Sequence, residues 1–190
     1  KIMKEFVTHP KCIAIGECGL DYFRLPDDED EKLKEKELQK EVFISQIEFA
    51  KKVQKPLIVH VREASNDSKI LLEKYGAKKV GGVLHCYNAS EHLLSLSEHG
   101  FYFGIGGVLT FKNAKKLVEV LPKIPLDKLL IETDAPYLTP HPHRGKRNEP
   151  FYTTLVSQKI AELLNLSDEE VQNLTTNNAK KLFKEFSSII

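Results

Sequence analysis

Imidazole and carboxylate side chains follow four short apolar runs of this 190-residue chain. Glu17 follows one run, His60 a second and His85 a third, and the fourth is followed by both Glu132 and Asp134. Two imidazoles with two or three carboxylates suit Zn²⁺, Mn²⁺ or Mg²⁺. A carboxylate that bridges two such ions lets them share one water molecule. The residue types therefore indicate a centre for one or two divalent ions with hydrolytic chemistry.

The spacing within two of these runs predicts which neighbours share the site. Side chains two residues apart on a strand point to the same face. If His60 faces the site, Arg62 faces it as well, and if Asp134 does, so does Glu132. Thr133 is then expected to point away. The alternation predicts an arginine beside one candidate ligand and two carboxylates on one wall.

Residues 135–150 (APYLTPHPHRGKRNEP) form a proline-rich, basic loop directly after the last carboxylate. Arg144, Lys146 and Arg147 lie close together in it. The rigid guanidinium fork matches phosphate oxygens, whereas lysine serves mainly as a mobile point charge. Beside a metal site, the loop indicates a phosphate-bearing substrate. Taken alone, it is equally well interpreted as a solvated loop held by salt bridges to Glu149.

Short apolar runs alternate with longer helix-like stretches along the chain, a pattern typical of βα units and a mainly parallel sheet. The predicted strands cover residues 12–17, 57–60, 82–85, 101–105 and 129–133. The predicted helices cover 30–54, 68–75, 90–99, 112–121, a helix from the Ser167 capping box to Leu174, and 179–186 capped by Asn178. Because parallel strands end at one edge of a sheet, this arrangement gathers the distant imidazoles and carboxylates.

The composition indicates one soluble globular domain over residues 1–190. Hydrophobic residues make up 41% and charged residues 29% of the chain, which excludes fibrous, collagen-like and disordered proteins. The net charge of +1 excludes broad electrostatic capture of nucleic acid, so any anion site must be local. No apolar run approaches the ~18 residues of a membrane span, and residues 1–10 lack a signal-peptide core. We expect a cytoplasmic monomer.

The cysteines argue against a disulfide framework. Cys12, Cys18 and Cys86 form no C-x-x-C pair, which also disfavours a structural zinc knuckle and indicates a reducing compartment. They are expected to pack as small apolar groups. Strand alternation is expected to turn Cys86 away from the site.

Two weaker signals have ordinary explanations. Residues 104–107 (GIGG) superficially suggest a dinucleotide loop, but Leu109 stands where the third glycine belongs, so we predict tight packing at a strand end. Tyr22 and Phe23 either stack a nucleobase or pack in the core, and core packing is at least as good an interpretation.

Six segments occur in the order of the motifs of the TatD-like deoxyribonucleases, and the resemblance runs through essentially the whole chain. They are 15–21 (IGECGLD) with Tyr22 beside it, 56–62 (PLIVHVR), 85–87 (HCY), 132–136 (ETDAP), 144–150 (RGKRNEP) and 176–183 (TNNAKKLF). The resemblance implies a (β/α)₈ TIM-type barrel. It also implies a divalent-metal-dependent hydrolase that cleaves phosphodiester bonds in DNA, often as an exonuclease.

The resemblance implies roles for the candidate ligands. Glu17 would bridge two metal ions, of which His60 and His85 would bind one. Asp134 would bind the other ion and help to position the attacking water. Glu132, beside it, would assist proton transfer or metal binding.

The resemblance also implies substrate-binding residues. Arg62, Arg144 and Arg147 would steady phosphates of the DNA, and Asn148 would shape the loop that contacts them. His143 precedes the Arg-Gly-Lys of this loop and is expected to contact substrate rather than metal.

One departure concerns the start of the chain. Members of the family begin with a strand bearing His-x-His, and the residues before Glu17 do not provide it. A full barrel takes ~250 residues, which leaves a shortfall of about 60, or two βα units at the N-terminus. We expect either a piece of a longer chain or a natural truncation with an incomplete metal site.

Three functions follow from these observations. The first is a metal-dependent deoxyribonuclease, with DNA as its partner. The second is a related hydrolase that cleaves C–N bonds of amides or C–O bonds of lactones with the same ligand set. The third is a non-catalytic truncated remnant that acts as a binding or scaffold protein. The basic loop favours the first, because neutral substrates have no use for Arg144 and Arg147.

Overall fold

The structure, a computed structural model, describes residues 2–184. Its centre is a parallel sheet of five strands that pair in chain order. The strands are β1 (Ile15–Asp21), β2 (Leu57–Arg62), β3 (Gly82–Leu84), β4 (Phe101–Ile105) and β5 (Leu129–Ile131). This sheet with its flanking helices confirms the predicted α/β class.

Helices connect the strands and cover the sheet. The α-helices are α1 (Ile2–Phe6), α2 (Glu29–Val53), α3 (Ser65–Lys74), α4 (Lys115–Val120), α5 (Thr153–Leu164) and α6 (Asp168–Leu182). Short 3₁₀ helices occupy Ala77–Lys79, Glu91–His99, Gly107–Thr110, Leu121–Lys123, Leu126–Lys128 and Pro150–Tyr152. Within residues 2–184, none of the helices combines the length and apolar character needed to span a membrane.

The strand boundaries differ most from the predicted ones at β1. This strand covers Ile15–Asp21 instead of 12–17, and its pairing with β2 is irregular between Ile15 and Cys18. Glu17 therefore lies inside a strand and not at its end. Polar residues and glycines occupy one face of β1 because that face lines a polar cavity, so the segment does not have the apolar pattern that predicts a strand.

Two helical predictions also need correction. The predicted 90–99 helix is a 3₁₀ helix over Glu91–His99, and the predicted 179–186 helix belongs to one continuous helix with the preceding one as far as Leu182. Asn178 does not cap a new helix, because its amide donates to the carbonyls of Leu126 and Leu129. The capping box of Ser167 with Glu170 is present as predicted. Residues 185 and 186 lie outside the described part of the chain.

The two faces of the sheet have different surroundings. One face packs against the helices and carries fully buried residues such as Leu57, Phe101 and Phe103. The opposite face carries a smaller apolar cluster that includes Val83 and Tyr102. The small cluster forms the floor beneath the polar side chains, because both use the same face of the strands.

Candidate metal centre

His60 and Glu17 come from neighbouring strands whose register is fixed. Along β2 the residues alternate between buried and more exposed, so His60 and Arg62 share a face as predicted. In the pairing of β1 with β2, Gly19 stands opposite His60 and Asp21 opposite Arg62. Alternation along β1 then places Glu17 on the same face as Asp21. These residues line the mouth of the sheet from within their strands.

His85, Glu132 and Asp134 form the tightest group of possible ligands. One ligand atom from each lies within 4.8 Å of those of the other two. His85 Nδ1 is 2.8 Å from Glu132 Oε2, and its Nε2 is 2.8 Å from Asp134 Oδ1. His85 directly follows β3 and Glu132 directly follows β5, where the ends of parallel strands meet.

Glu17 links this group to His60. Its Oε1 lies 3.0 Å from His60 Nδ1 and 4.0 Å from His85 Nε2. The carboxylate therefore stands between the two imidazoles. The structure brings all five predicted ligand and catalytic residues together: Glu17, His60, His85, Glu132 and Asp134.

Asp21 is a further polar residue of the site that the sequence did not single out. Its Oδ2 lies 3.3 Å from His60 Nε2. Gln39 of α2 holds the backbone of Asp21 from both sides, because its side chain accepts from the Asp21 N–H and donates to the Asp21 carbonyl, each at 2.9 Å. A carboxylate on the second nitrogen of a histidine ligand fixes the orientation and tautomer of the ring. The available signal was its position four residues after Glu17, which places both side chains on the same face of a strand.

The carboxylates shift the pKa of His85 strongly. The hydrogen bond to Asp134, followed by that to Glu132, raises the pKa of His85 to about 10, although partial burial opposes the shift. The same contact with His85 lowers the pKa of Asp134. The imidazole is therefore protonated at neutral pH, and a positive charge lies where the ligand atoms converge.

Two glycines of the segment 104–107 make room for Glu132. A Cβ on Gly106 would overlap Glu132 Oε1, and a Cβ on Gly104 would lie 3.0 Å from Glu132 Cγ. The tight packing predicted for this glycine segment is thus packing against a candidate catalytic side chain. Glu132 Oε1 is buried and has no hydrogen-bond partner among residues 2–184.

The candidate ligands open into a cavity of about 390 Å³. Its lining includes Glu17, His60, Arg62, His85, Cys86 and Asp134. Cys86 therefore does not point away as predicted, because β3 ends at Leu84 and Cys86 adopts a left-handed backbone with φ 43°. Burial, reinforced by the nearby carboxylates, raises the pKa of the Cys86 thiol, which keeps the thiol protonated and weakly nucleophilic.

Two of the predicted phosphate-binding arginines stack on phenylalanine rings. The Arg62 guanidinium lies 3.6 Å from the centre of the Phe23 ring, and that of Arg144 lies 3.9 Å from the centre of the Phe111 ring. Phe23 is 48% exposed and so belongs to the surface, not the core. Stacking covers one guanidinium face and leaves N–H groups at its edge for acceptors. In Arg144, Nη1 already donates to the Thr139 carbonyl at 3.0 Å.

The remaining predicted substrate residues occupy the loop after β5. His143 stacks on Tyr152, with ring centres 4.6 Å apart, and Arg147 is exposed. Asn148 is 2% exposed, and its amide donates within the loop. Of these three residues, His143 and Arg147 are at least partly accessible to a ligand, whereas Asn148 is enclosed.

A family model described as TatD related DNase matches residues 1–184. The chain is 48% identical over 185 residues to the uncharacterized metal-dependent hydrolase YabD of Bacillus subtilis, covering 96% of this chain and 69% of that protein. It is 37% identical over 186 residues to the 3′-5′ ssDNA/RNA exonuclease TatD of Escherichia fergusonii, covering 94% of this chain and 68% of that protein.

A solved structure supports the same relationship. The crystal structure of YJJV, a TatD homologue from Escherichia coli K12, superimposes with a TM-score of 0.84 at 28% sequence identity. The alignment covers 96% of this chain and 68% of YJJV. The chain thus has the fold of the TIM-barrel type found in this family and spans about two thirds of the length of these relatives.

Proposed function

Because the chain belongs to the TatD related DNase family, we propose that it is a divalent-metal-dependent phosphodiesterase that removes nucleotides from the ends of DNA strands. The convergence of Glu17, His60, His85 and Asp134 on one cavity, with Glu132 in contact with His85, carries the proposal. The relatives to which it is similar include metal-dependent hydrolases and an exonuclease that acts on single-stranded DNA and RNA.

The residues present fit a divalent metal ion. The buried Glu132 Oε1 lacks a hydrogen-bond partner among the described residues, and its carboxylate shares a small volume with His85 and Asp134. His85 carries a proton between these two carboxylates, and a divalent cation bound to the neutral imidazole would supply positive charge there in place of that proton. Nitrogen and carboxylate oxygen donors suit Zn²⁺ or Mn²⁺, and the carboxylates suit Mg²⁺. His85, Glu132 and Asp134 would hold one ion, and Glu17 with His60 would hold or share a second.

Each residue of the site would then have a separate role in hydrolysis. When bound, a divalent ion lowers the pKa of a coordinated water and neutralises phosphate oxygens. Asp134 would orient the attacking water, because its carboxylate faces the cavity beside His85. Glu132, buried against Gly106, would accept the proton or complete the metal site. Asp21 would hold the ring of His60.

Phosphodiesters are favoured as substrates because an arginine lines the cavity and two more follow Asp134 in the chain, while the chain as a whole is nearly neutral. Arg62 lines the cavity, and Arg144 and Arg147 lie on the loop that follows Asp134. A guanidinium stacked on an aromatic ring keeps its edge donors for phosphate. Cyclic amides and lactones carry no charge that these arginines would complement. His143 and the exposed ring of Phe23 would contact sugar or base at the same mouth, with Asn148 supporting the loop.

The cellular setting is proposed on the basis of the thiols. Cys12, Cys18 and Cys86 are all free. Free thiols are typical of a reducing compartment, which supports action in the cytoplasm. We take the protein to act as a monomer.

The test is nucleotide release from an end-labelled single-stranded oligonucleotide with Mn²⁺, Mg²⁺ or EDTA. We expect release with metal, and a loss of about a hundredfold or more in Glu17→Gln and Asp134→Asn, because each removes a charged ligand. Glu48→Gln serves as a matched control, since Glu48 is an exposed carboxylate of α2 paired with Lys51. Undiminished release by Asp134→Asn, or hydrolysis of cyclic amides in place of the oligonucleotide, would contradict the proposal.

A further inference from the structure

The backbone that carries Asp134 lies outside the sheet. β5 ends at Ile131, and the last backbone hydrogen bond to β4, from the Glu132 N–H to the Ile105 carbonyl at 3.1 Å, lies two residues before Asp134. A ligand carboxylate nevertheless has to hold its position to within a few tenths of an ångström. The Asp134 carbonyl accepts a hydrogen bond from the N–H of Tyr137 at 2.7 Å, which closes a turn directly after the carboxylate. A further contact is needed to hold this turn against Thr133, the residue that follows the last backbone hydrogen bond to the sheet.

Asn148 supplies that connection from 14 residues further along the chain. Its Nδ2 donates to Thr133 Oγ1 at 3.1 Å and to the Tyr137 carbonyl at 2.6 Å. One planar amide therefore fastens the residue before Asp134 and the end of the turn after it. Asn148 is 2% exposed, so water does not compete for these two bonds.

Further hydrogen bonds close the network around the same amide. The Thr133 hydroxyl also accepts from the N–H of Ala135 at 3.2 Å, and the backbone N–H of Asn148 donates to the Pro136 carbonyl at 3.0 Å. The Asn148 Oδ1 accepts from the N–H of Glu149 at 2.9 Å. Every polar group of the asparagine side chain is thus engaged within the loop.

We propose that Asn148, acting through the Thr133 hydroxyl, is a positioning residue that holds the Asp134 carboxylate in ligand geometry toward His85. The inference rests on the proposed metal-dependent function and adds a residue that touches neither metal nor substrate. Arg147 precedes Asn148 in the chain, so the same buried amide also ties the phosphate-binding end of the loop to the metal ligand.

Two variants of Thr133 separate the effect of its hydroxyl group from the effect of its shape. Thr133→Val has nearly the shape of threonine but lacks the acceptor for both Asn148 Nδ2 and the Ala135 N–H, whereas Thr133→Ser retains it. The primary measurement is the Kd of the full chain for Mn²⁺. It is obtained from the electron paramagnetic resonance signal of the Mn²⁺ that remains unbound. We expect Thr133→Val and Asn148→Ala to weaken Mn²⁺ binding about tenfold, as loss of supporting contacts to metal ligands commonly does. Thr133→Ser is expected to bind within about twofold of the wild type.

Asn178 offers a matched control for the loss of a buried asparagine. It is 1% exposed, and its Nδ2 also donates to two oxygens, the carbonyls of Leu126 and Leu129, at the opposite end of β5. Asn178→Ala should lower the melting temperature in EDTA by about as much as Asn148→Ala, since both variants leave buried acceptors without donors. It should leave the Kd for Mn²⁺ unchanged.

Each outcome decides the proposal. An unchanged Mn²⁺ Kd in Thr133→Val, an equal loss in Thr133→Ser, or an equal loss in Asn178→Ala would overturn it. Absence of Mn²⁺ binding by the wild type would overturn it as well. A wild type that binds Mn²⁺ but releases no nucleotides would contradict the proposed function alone, because the Mn²⁺ affinities of the variants still measure the positioning effect.

Discussion

The imidazole of His85 lies 2.8 Å from the carboxylate of Asp134, and this contact is the largest contribution to a pKa for His85 of about 10. The side chain is thus a cation at neutral pH in the metal-free protein. An imidazole binds metal in its neutral form, so a metal ion at this site has to displace a proton.

Metal binding is therefore expected to release about one proton from His85 at pH 7.5. Isothermal titration with Mn²⁺ in two buffers of different ionisation enthalpy measures this number directly. The Kd for Mn²⁺ should fall about tenfold for each unit of pH between 6 and 8, because proton and metal compete for one nitrogen. A heat of binding that does not depend on the buffer would contradict this prediction, and Glu48→Gln should give the wild-type value.

The same ion pair gives the metal-free protein a defined dependence of stability on pH. The pKa of His85 is raised above its ordinary value of 6.5, so its contribution is complete below pH 6.5 and is lost as the pH rises toward 10. The pKa of Asp134 is lowered, so its contribution is lost only as the medium becomes strongly acidic. In EDTA, the melting temperature should fall between pH 6.5 and 8.5.

His85→Gln is the control for this pH dependence. Glutamine has a similar length and a hydrogen-bond donor but does not titrate. The variant should melt at a lower temperature than the wild type at pH 6.5 and show a smaller decline toward pH 8.5. Parallel melting curves for the two proteins across this range would assign the decline to other groups.

Phe23 is expected to act through Arg62 on substrate binding. Phe23→Leu should raise the KM for a single-stranded oligonucleotide about twofold to fivefold with little change in kcat, because an exposed cation–π contact contributes about 0.5–1 kcal/mol. Phe23→Tyr keeps the ring and should restore the KM. Phe6→Leu is the control, since Phe6 is an exposed ring of α1 and none of the proposed substrate residues belongs to that helix. An equal KM for all four proteins would remove Phe23 from the substrate site.

The sequence was sufficient to predict the parallel arrangement and the convergence of the candidate ligand side chains, for a physical reason. His85 and Glu132 directly follow buried apolar runs, and in parallel βα units such positions converge without knowledge of the exact register. The α/β class followed from the same alternation of apolar runs and helical stretches. These features depend on the local pattern and on the common direction of the strands.

Other features depend on contacts that no local pattern records. Asp21 became part of the site through the register of β1 against β2, which places it beside His60. Cys86 entered the cavity because its backbone turns at a left-handed φ immediately after β3. The sequence around Asn178 is typical of a helix cap. Its side-chain amide instead donates a hydrogen bond to the Leu129 carbonyl at the start of β5, 49 residues away in sequence. Register, backbone turns and such distant hydrogen bonds are set by packing of the whole sheet.

Gly106 lacks a side chain and thereby leaves space for Glu132 Oε1. Gly106→Ala should displace the Glu132 carboxylate and weaken Mn²⁺ binding about tenfold or more, with a matching loss of nucleotide release. Gly76→Ala is the control, because open space surrounds a Cβ there and its φ of 65° makes the substitution costly for stability alone. Gly76→Ala should therefore lower the melting temperature while keeping the wild-type Kd for Mn²⁺. If Gly106→Ala also keeps that Kd, Glu132 does not bind the metal ion, and its role is confined to proton transfer.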